Sequence, residues 1–152
     1  MSKTYETILS DLKTAMKSKD SERLQVLRSL KSKLLEKEIS ERKGDEVKLS
    51  EEQVREVLMK AAKQRKDSIA QYRDASRNDL AETEEKELEI IESYLPEMLS
   101  ENEIRSIAME TIKEFGADST AEMGKVMGAL MPKVKGKADG ALVNRVVREL
   151  LT

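Results

Sequence analysis

The chain has 152 residues, enough for one ordinary domain or two small ones. Charged residues make up 38% and aromatics 3%, and cysteine, histidine and tryptophan are absent, which excludes disulfides, zinc fingers, iron–sulfur ligation, thiol nucleophiles and Ser-His-Asp triads. A net charge of −2 conceals opposite blocks: residues 76–103 hold ten acids against Arg77 and Lys86, and residues 123–148 hold six bases against Asp139.

Apolar residues recur with helical spacing, so the chain reads as all-α. A first helix runs from about Thr4 to Ser18 with Tyr5, Ile8, Leu9, Leu12, Ala15 and Met16 on one face. Asp20 or Ser21 caps a second, which reaches about Lys43 and ends at Gly44-Asp45; Leu24, Leu27, Leu30, Leu34, Leu35 and Ile39 line its inner side. Ser50-Glu-Glu-Gln53 is a capping box that opens a third helix, striped by Val54, Val57, Leu58, Ala61, Ile69 and Tyr72. Its basic run, Lys60 to Asp67, reads as a solvated face. A fourth helix turns Leu80, Leu88, Ile91 and Leu95 inward beneath a glutamate surface. Pro96 stops it, and Tyr94-Leu95 is expected to plug the end of the bundle.

A second capping box, Ser100-Glu-Asn-Glu103, restarts the chain. The fifth helix carries Ile104, Ile107, Ala108, Thr111, Ile112 and Phe115 and closes at Gly116. A third box, Ser119 to Glu122, is expected to open a sixth helix over about Thr120 to Met131, ended by Pro132. Asp139 caps a seventh, whose Leu142, Val143, Val146, Val147 and Leu150 complete a small core. The predicted organisation is a four-helix N-terminal domain, residues 1–96, and a three-helix C-terminal domain, residues 100–152.

Four of the six glycines and one of the two prolines fall within residues 123–140, along with four lysines. Gly124 and Gly128 lie inside the sixth helix, where each costs about 1 kcal/mol relative to alanine. Two uses would offset that cost: close packing against the fifth or seventh helix, or close approach by a phosphate backbone or partner helix beside Lys125. In the following loop Lys133, Lys135 and Lys137 alternate with small or apolar residues around Gly136. The start of the seventh helix adjoins it, with backbone donors and a positive dipole end suited to an anion; the alternative is a solvated loop. Arg145 and Arg148 follow three residues apart on one side of that helix. The methionines read as core packing, and no pair of the fourth helix's glutamates stands out as an acid and a base. Phosphate-loop, dinucleotide and metal motifs are missing, so no catalytic residue, metal site or cofactor is expected.

The stretch Met123 to Gly140, with Asn144, resembles the signature of the free-standing YqeY proteins, as do Gln64 to Ser68 and Tyr94-Leu-Pro96. That family is similar to the C-terminal tail domain of the B subunit of the tRNA-dependent amidotransferase. The resemblance implies a helical fold with a larger N-terminal and a smaller C-terminal part. In the amidotransferase the tail helps hold the tRNA body while other domains phosphorylate and amidate the misacylated end. Carried over by position, Gly124 to Met127 and Lys135 to Lys137 match the tail's motif. The chain lacks the catalytic cradle and the amidase partner's serine–lysine machinery, so carbon–nitrogen ligase activity with glutamine as amido donor would describe the complex.

The expected function is a non-catalytic accessory module binding tRNA or another structured RNA. Gly124, Lys125, Lys133, Lys135, Gly136, Lys137, Arg145 and Arg148 would meet phosphates, supplying placement rather than base readout. An amidotransferase or other protein partner is also compatible. The alternative is a protein-interaction adaptor using the glycine face of the sixth helix or the acidic fourth helix. With no apolar run near 20 residues and no signal-peptide core at Met-Ser-Lys-Thr-Tyr-Glu, a soluble cytoplasmic protein without membrane contact is expected.

Overall fold

A computed structural model describes residues 2–42 and 48–152. Among these there are seven α-helices and no strand: α1 (Lys3–Ser18), α2 (Ser21–Ser40), α3 (Glu51–Asp74), α4 (Asn78–Glu92), α5 (Glu101–Phe115), α6 (Met123–Val134) and α7 (Gly140–Leu151). The all-α expectation holds. The chain divides into two compact units, Met1–Pro96 with α1 to α4 and Glu97–Thr152 with α5 to α7.

In the first unit, Tyr5, Ile8, Leu12 and Ala15 of α1 meet Val26, Leu27, Leu30 and Leu34 of α2, and Val54, Leu58, Ala61 and Ala62 of α3, in one buried cluster that Ile91 of α4 joins. The expected stripes are partly corrected. Met16, Leu35 and Ile39 are exposed, while Val26, absent from the expected stripe, is fully buried. Leu35 and Ile39 lie four residues apart, so they share one face of α2, and that face is turned away from the seam running through Leu27, Leu30 and Leu34. Helix α2 ends at Ser40 with Glu41 as its cap; Lys43 and the expected terminator Gly44-Asp45 lie outside the described residues.

The acids of α4 are largely consumed within this unit. Arg65 pairs with Glu84 at 2.9 Å and with the buried Glu87, and Arg73 pairs with Glu85. The basic run of α3 is therefore not simply a solvated face. Burial pushes the Glu87 carboxyl above its ordinary value against the pull of Arg65. Tyr94 closes the bundle end with a specific network: its hydroxyl donates to Asp11 at 2.6 Å and accepts from Arg23 at 3.0 Å. Burial, with the Asp11 hydrogen bond, raises the phenol pKa.

Glu51 fastens the start of α1 to the start of α3. Its Oε2 accepts from Ser2 Oγ at 2.8 Å and from the Thr4 amide at 3.5 Å. Burial alone would raise this carboxyl, but the hydrogen bonds from Thr4 and Ser2 and the charge of Arg55 outweigh it and hold the group below its usual 4.5. A carboxylate with a lowered folded-state pKa contributes stability that is present above its unfolded value and lost as pH falls through the folded one. The thermal midpoint of Glu51→Gln should therefore fall less than that of the wild type on acidification from neutral pH to below 4.5. Parallel profiles for the two proteins would refute this.

The second unit is a three-helix cluster around Ile104, Ala108, Val126, Leu130, Val134, Val143, Val146 and Val147. Both capping boxes at Ser50–Gln53 and Ser100–Glu103 form, and Gly116 closes α5 in the left-handed conformation. The third box does not form. Ser119 makes no side-chain cap, and Thr120–Glu122 winds as a 3₁₀ turn before α6 begins. Pro132 also fails as a stop, since α6 continues to Val134. Proline has no N–H to give the carbonyl four residues back. That carbonyl belongs to Gly128, whose residue is exposed, so water can serve it; burial of Val134 holds the last turn.

Candidate nucleic-acid interface

Gly124 and Gly128 occupy one exposed face of α6. A methyl group built on either would meet no atom within 4 Å outside its own stretch of helix. Close packing against α5 or α7, one of the two uses expected from sequence, is thereby excluded for both. The cost of two helical glycines is met by no contact among the described residues. The face is bare, with Lys125 exposed beside it and the core residues Val126 and Leu130 on the opposite side.

The lysine loop is an ordered turn. Lys135 at φ −58 and ψ 130, followed by Gly136 at φ 77, with the Lys137 amide donating to the Val134 carbonyl at 2.9 Å, is a type II turn. That turn requires a left-handed residue at its third position, and Gly136 supplies it in a buried setting. The Lys137 carbonyl accepts from the Leu99 amide at 2.8 Å, tying the turn to the segment that precedes α5.

The expected cations divide by what they touch. Lys133 reaches back to α5, donating to Thr111 Oγ1 at 3.2 Å and standing 3.5 Å from Glu114. Arg145 donates to Glu101 at 3.0 Å and lies 3.9 Å from Glu149. Those two acids also hold Arg105, so four side chains lace α5 to α7. Lys135 is exposed and engaged in an interaction of its own. Lys125, Lys137 and Arg148 are exposed and carry no side-chain hydrogen bond or ion pair among the described residues. The start of α7, the anion seat expected from sequence, already carries a carboxylate, because Asp139 accepts from the Ala141 amide at 3.2 Å. Sequence reasoning missed Glu101, Glu114 and Glu149 as partners of these bases; they lie on other helices or a turn away, and only the fold brings them close.

Among the described residues, no group of three or more acids could hold a metal ion, and no helix is long and apolar enough to cross a membrane.

Curated relatives match along much of the chain. The altered inheritance of mitochondria protein 41, mitochondrial, of Pyrenophora tritici-repentis is 27% identical over 93% of this chain and 77% of its own length. Its namesake from Lachancea thermotolerans is 42% identical over 69% of this chain and 56% of its own length. A shorter stretch is 40% identical to a glutamyl-tRNA(Gln) amidotransferase polypeptide of Thermococcus sibiricus, covering 41% of this chain and 10% of that protein. These matches correct the cytoplasmic expectation, since the relatives that align along most of this chain are named as mitochondrial proteins. Composition could not have revealed this, because a helical domain folds by the same physics in either compartment. The amidotransferase match supports the relation to that enzyme's tail domain. A model of the Yqey-like proteins matches residues 5–151, and the chain therefore belongs to the YqeY-like family.

Proposed function

We propose that the chain is a non-catalytic tRNA- or structured-RNA-binding module, accessory to amidotransferase-type chemistry, with the RNA backbone approaching the bare face of α6. The observation that carries this reading is the exposed Gly124–Gly128 face, which nothing in the described residues fills. Lys125, Lys137 and Arg148 supply charge without first breaking an internal pair, and Gly136 holds the Lys135–Lys137 turn in shape. Lys133 and Arg145 contribute only by exchanging Glu114, or Glu101 and Glu149, for phosphate. One aromatic residue, Phe115, lies among the exposed large apolar side chains, so stacking on single-stranded bases is a poor match and recognition of a folded RNA by shape is the better one. The adaptor reading through the fourth helix loses support, because Glu84, Glu85 and Glu87 are already paired with α3.

A filter-binding titration against total tRNA at two salt concentrations tests the proposal. Affinity should fall steeply with salt. The K125Q/K137Q/R148Q variant should bind on the order of 30-fold more weakly at low salt, with a log–log salt slope reduced by about 2. Salt-insensitive binding, or an unchanged variant, sinks the proposal. Recovery of a protein partner that survives nuclease treatment, with no tRNA binding, would move the bare face to the adaptor reading.

A further inference from the structure

Unit 1 contains a feature that the α6–α7 reading does not use. Between α2 and α3 lies an open groove of about 480 Å³, within the range of small-molecule sites. Its floor is apolar, from Val57 and Ala61, and Lys33, Lys60 and Gln64 stand along its walls. Lys33 Nζ donates to Gln64 Oε1 at 3.0 Å, which leaves the Gln64 amide nitrogen as a remaining donor. Lys60 is exposed, with no side-chain partner among the described residues.

The groove gathers like charge. Burial first, then the nearby Arg65 and Lys60, push the Lys33 ammonium below its ordinary pKa, and Glu36 pulls the other way. Arg65 itself is held by Glu84 and Glu87, so the crowding falls on Lys33 and Lys60. Crowded cations beside an open space are relieved when an anion enters. The opposite end of the groove constrains which anion. Glu36 and Glu56 line it as well, and Lys37 is paired with Glu41 at 3.0 Å. A dianionic phosphate would meet two carboxylates there; a singly charged phosphodiester balances the two lysines with less repulsion.

We propose that the α2–α3 groove binds a phosphodiester of a nucleic-acid strand, with Lys33 and Lys60 on the non-bridging oxygens and the adjoining sugar against Val57 and Ala61. The site is built from other residues than the α6–α7 face and stands or falls apart from it.

The test uses the whole chain labelled with ¹⁵N and adenylyl-adenosine, a dinucleotide with one phosphodiester and no terminal phosphate. Its addition should shift the amides of Lys33, Lys60, Ala61 and Gln64 saturably, and adenosine at the same concentration should leave them in place. K33Q/K60Q should weaken the dinucleotide about tenfold or more. The single K60Q variant, at an exposed position, should weaken it in the same direction and covers the case in which the double variant does not fold. K125Q/K137Q/R148Q should keep the full response, so that failure of the α6–α7 proposal leaves this one intact. The proposal is overturned if adenosine moves the same amides equally, if the dinucleotide moves none of them, if K60Q binds as tightly as the wild type, or if the α6–α7 variant abolishes the response.

Discussion

Replacing Leu130 with alanine should strip the amides of α5, α6 and α7 of most of their protection against hydrogen exchange. Leu130 is fully buried in the middle of α6, where Ile104, Val126, Val134, Val143, Val146 and Val147 surround it. Cutting a buried leucine back to alanine costs about 3 kcal/mol through lost transfer energy and the cavity left behind. A unit the size of Glu97–Thr152 holds only roughly 3–8 kcal/mol at ordinary per-residue stability, so one substitution takes much or all of it. Protection at the slowest α6 and α7 amides should drop roughly 100-fold. Unchanged exchange there would mean that Leu130 is not central to the core.

The second large effect has opposite signs in two assays. Gly124→Ala and Gly128→Ala each place a methyl in open space on an exposed helical face, so together they should stabilise the unit by about 1–2 kcal/mol through helix propensity. The same two methyls occupy the surface a close-approaching backbone would need, and tRNA affinity should fall. Thermal or chemical unfolding alongside filter binding reads both numbers. A double variant that is less stable would show the glycines serve an internal contact. One that is more stable and binds tRNA equally well would remove α6 from the interface. A gain in stability that natural sequence forgoes is a sign of a functional use.

Local signals were legible wherever the physics is local. The boxes at Ser50 and Ser100 need only residues within one turn, and both form as written. The Asp139 cap is of the same kind. Ser119 shows the limit: its motif is right, but the chain tightens into a 3₁₀ turn and the serine side chain makes no cap. Pro132 shows another, because a proline in the last turn of a helix forfeits one hydrogen bond, and an exposed acceptor makes that loss small. The candidate site was legible as composition, since glycines and lysines crowd one window. Its geometry was not. Whether Lys133 points outward depends on Glu114 of another helix, and Arg145 depends on Glu101, 44 residues earlier in sequence. Long-range pairing of that sort leaves no mark in helical periodicity. Val26 was missed for a related reason: the seam that buries it is set by how α1 and α3 lie on α2.

The hydrogen bond from the Leu99 amide to the Lys137 carbonyl gives the protein a built-in gauge. The type II turn is braced from outside its own helices, so a tension or displacement in the chain just before α5 is felt by the lysine turn without passing through the apolar core. The reverse also holds. A ligand that draws Lys135 or Lys137 outward must stretch this bond, and the Leu99 amide, far along the sequence from either lysine, becomes the proton whose resonance reports the occupancy of the turn.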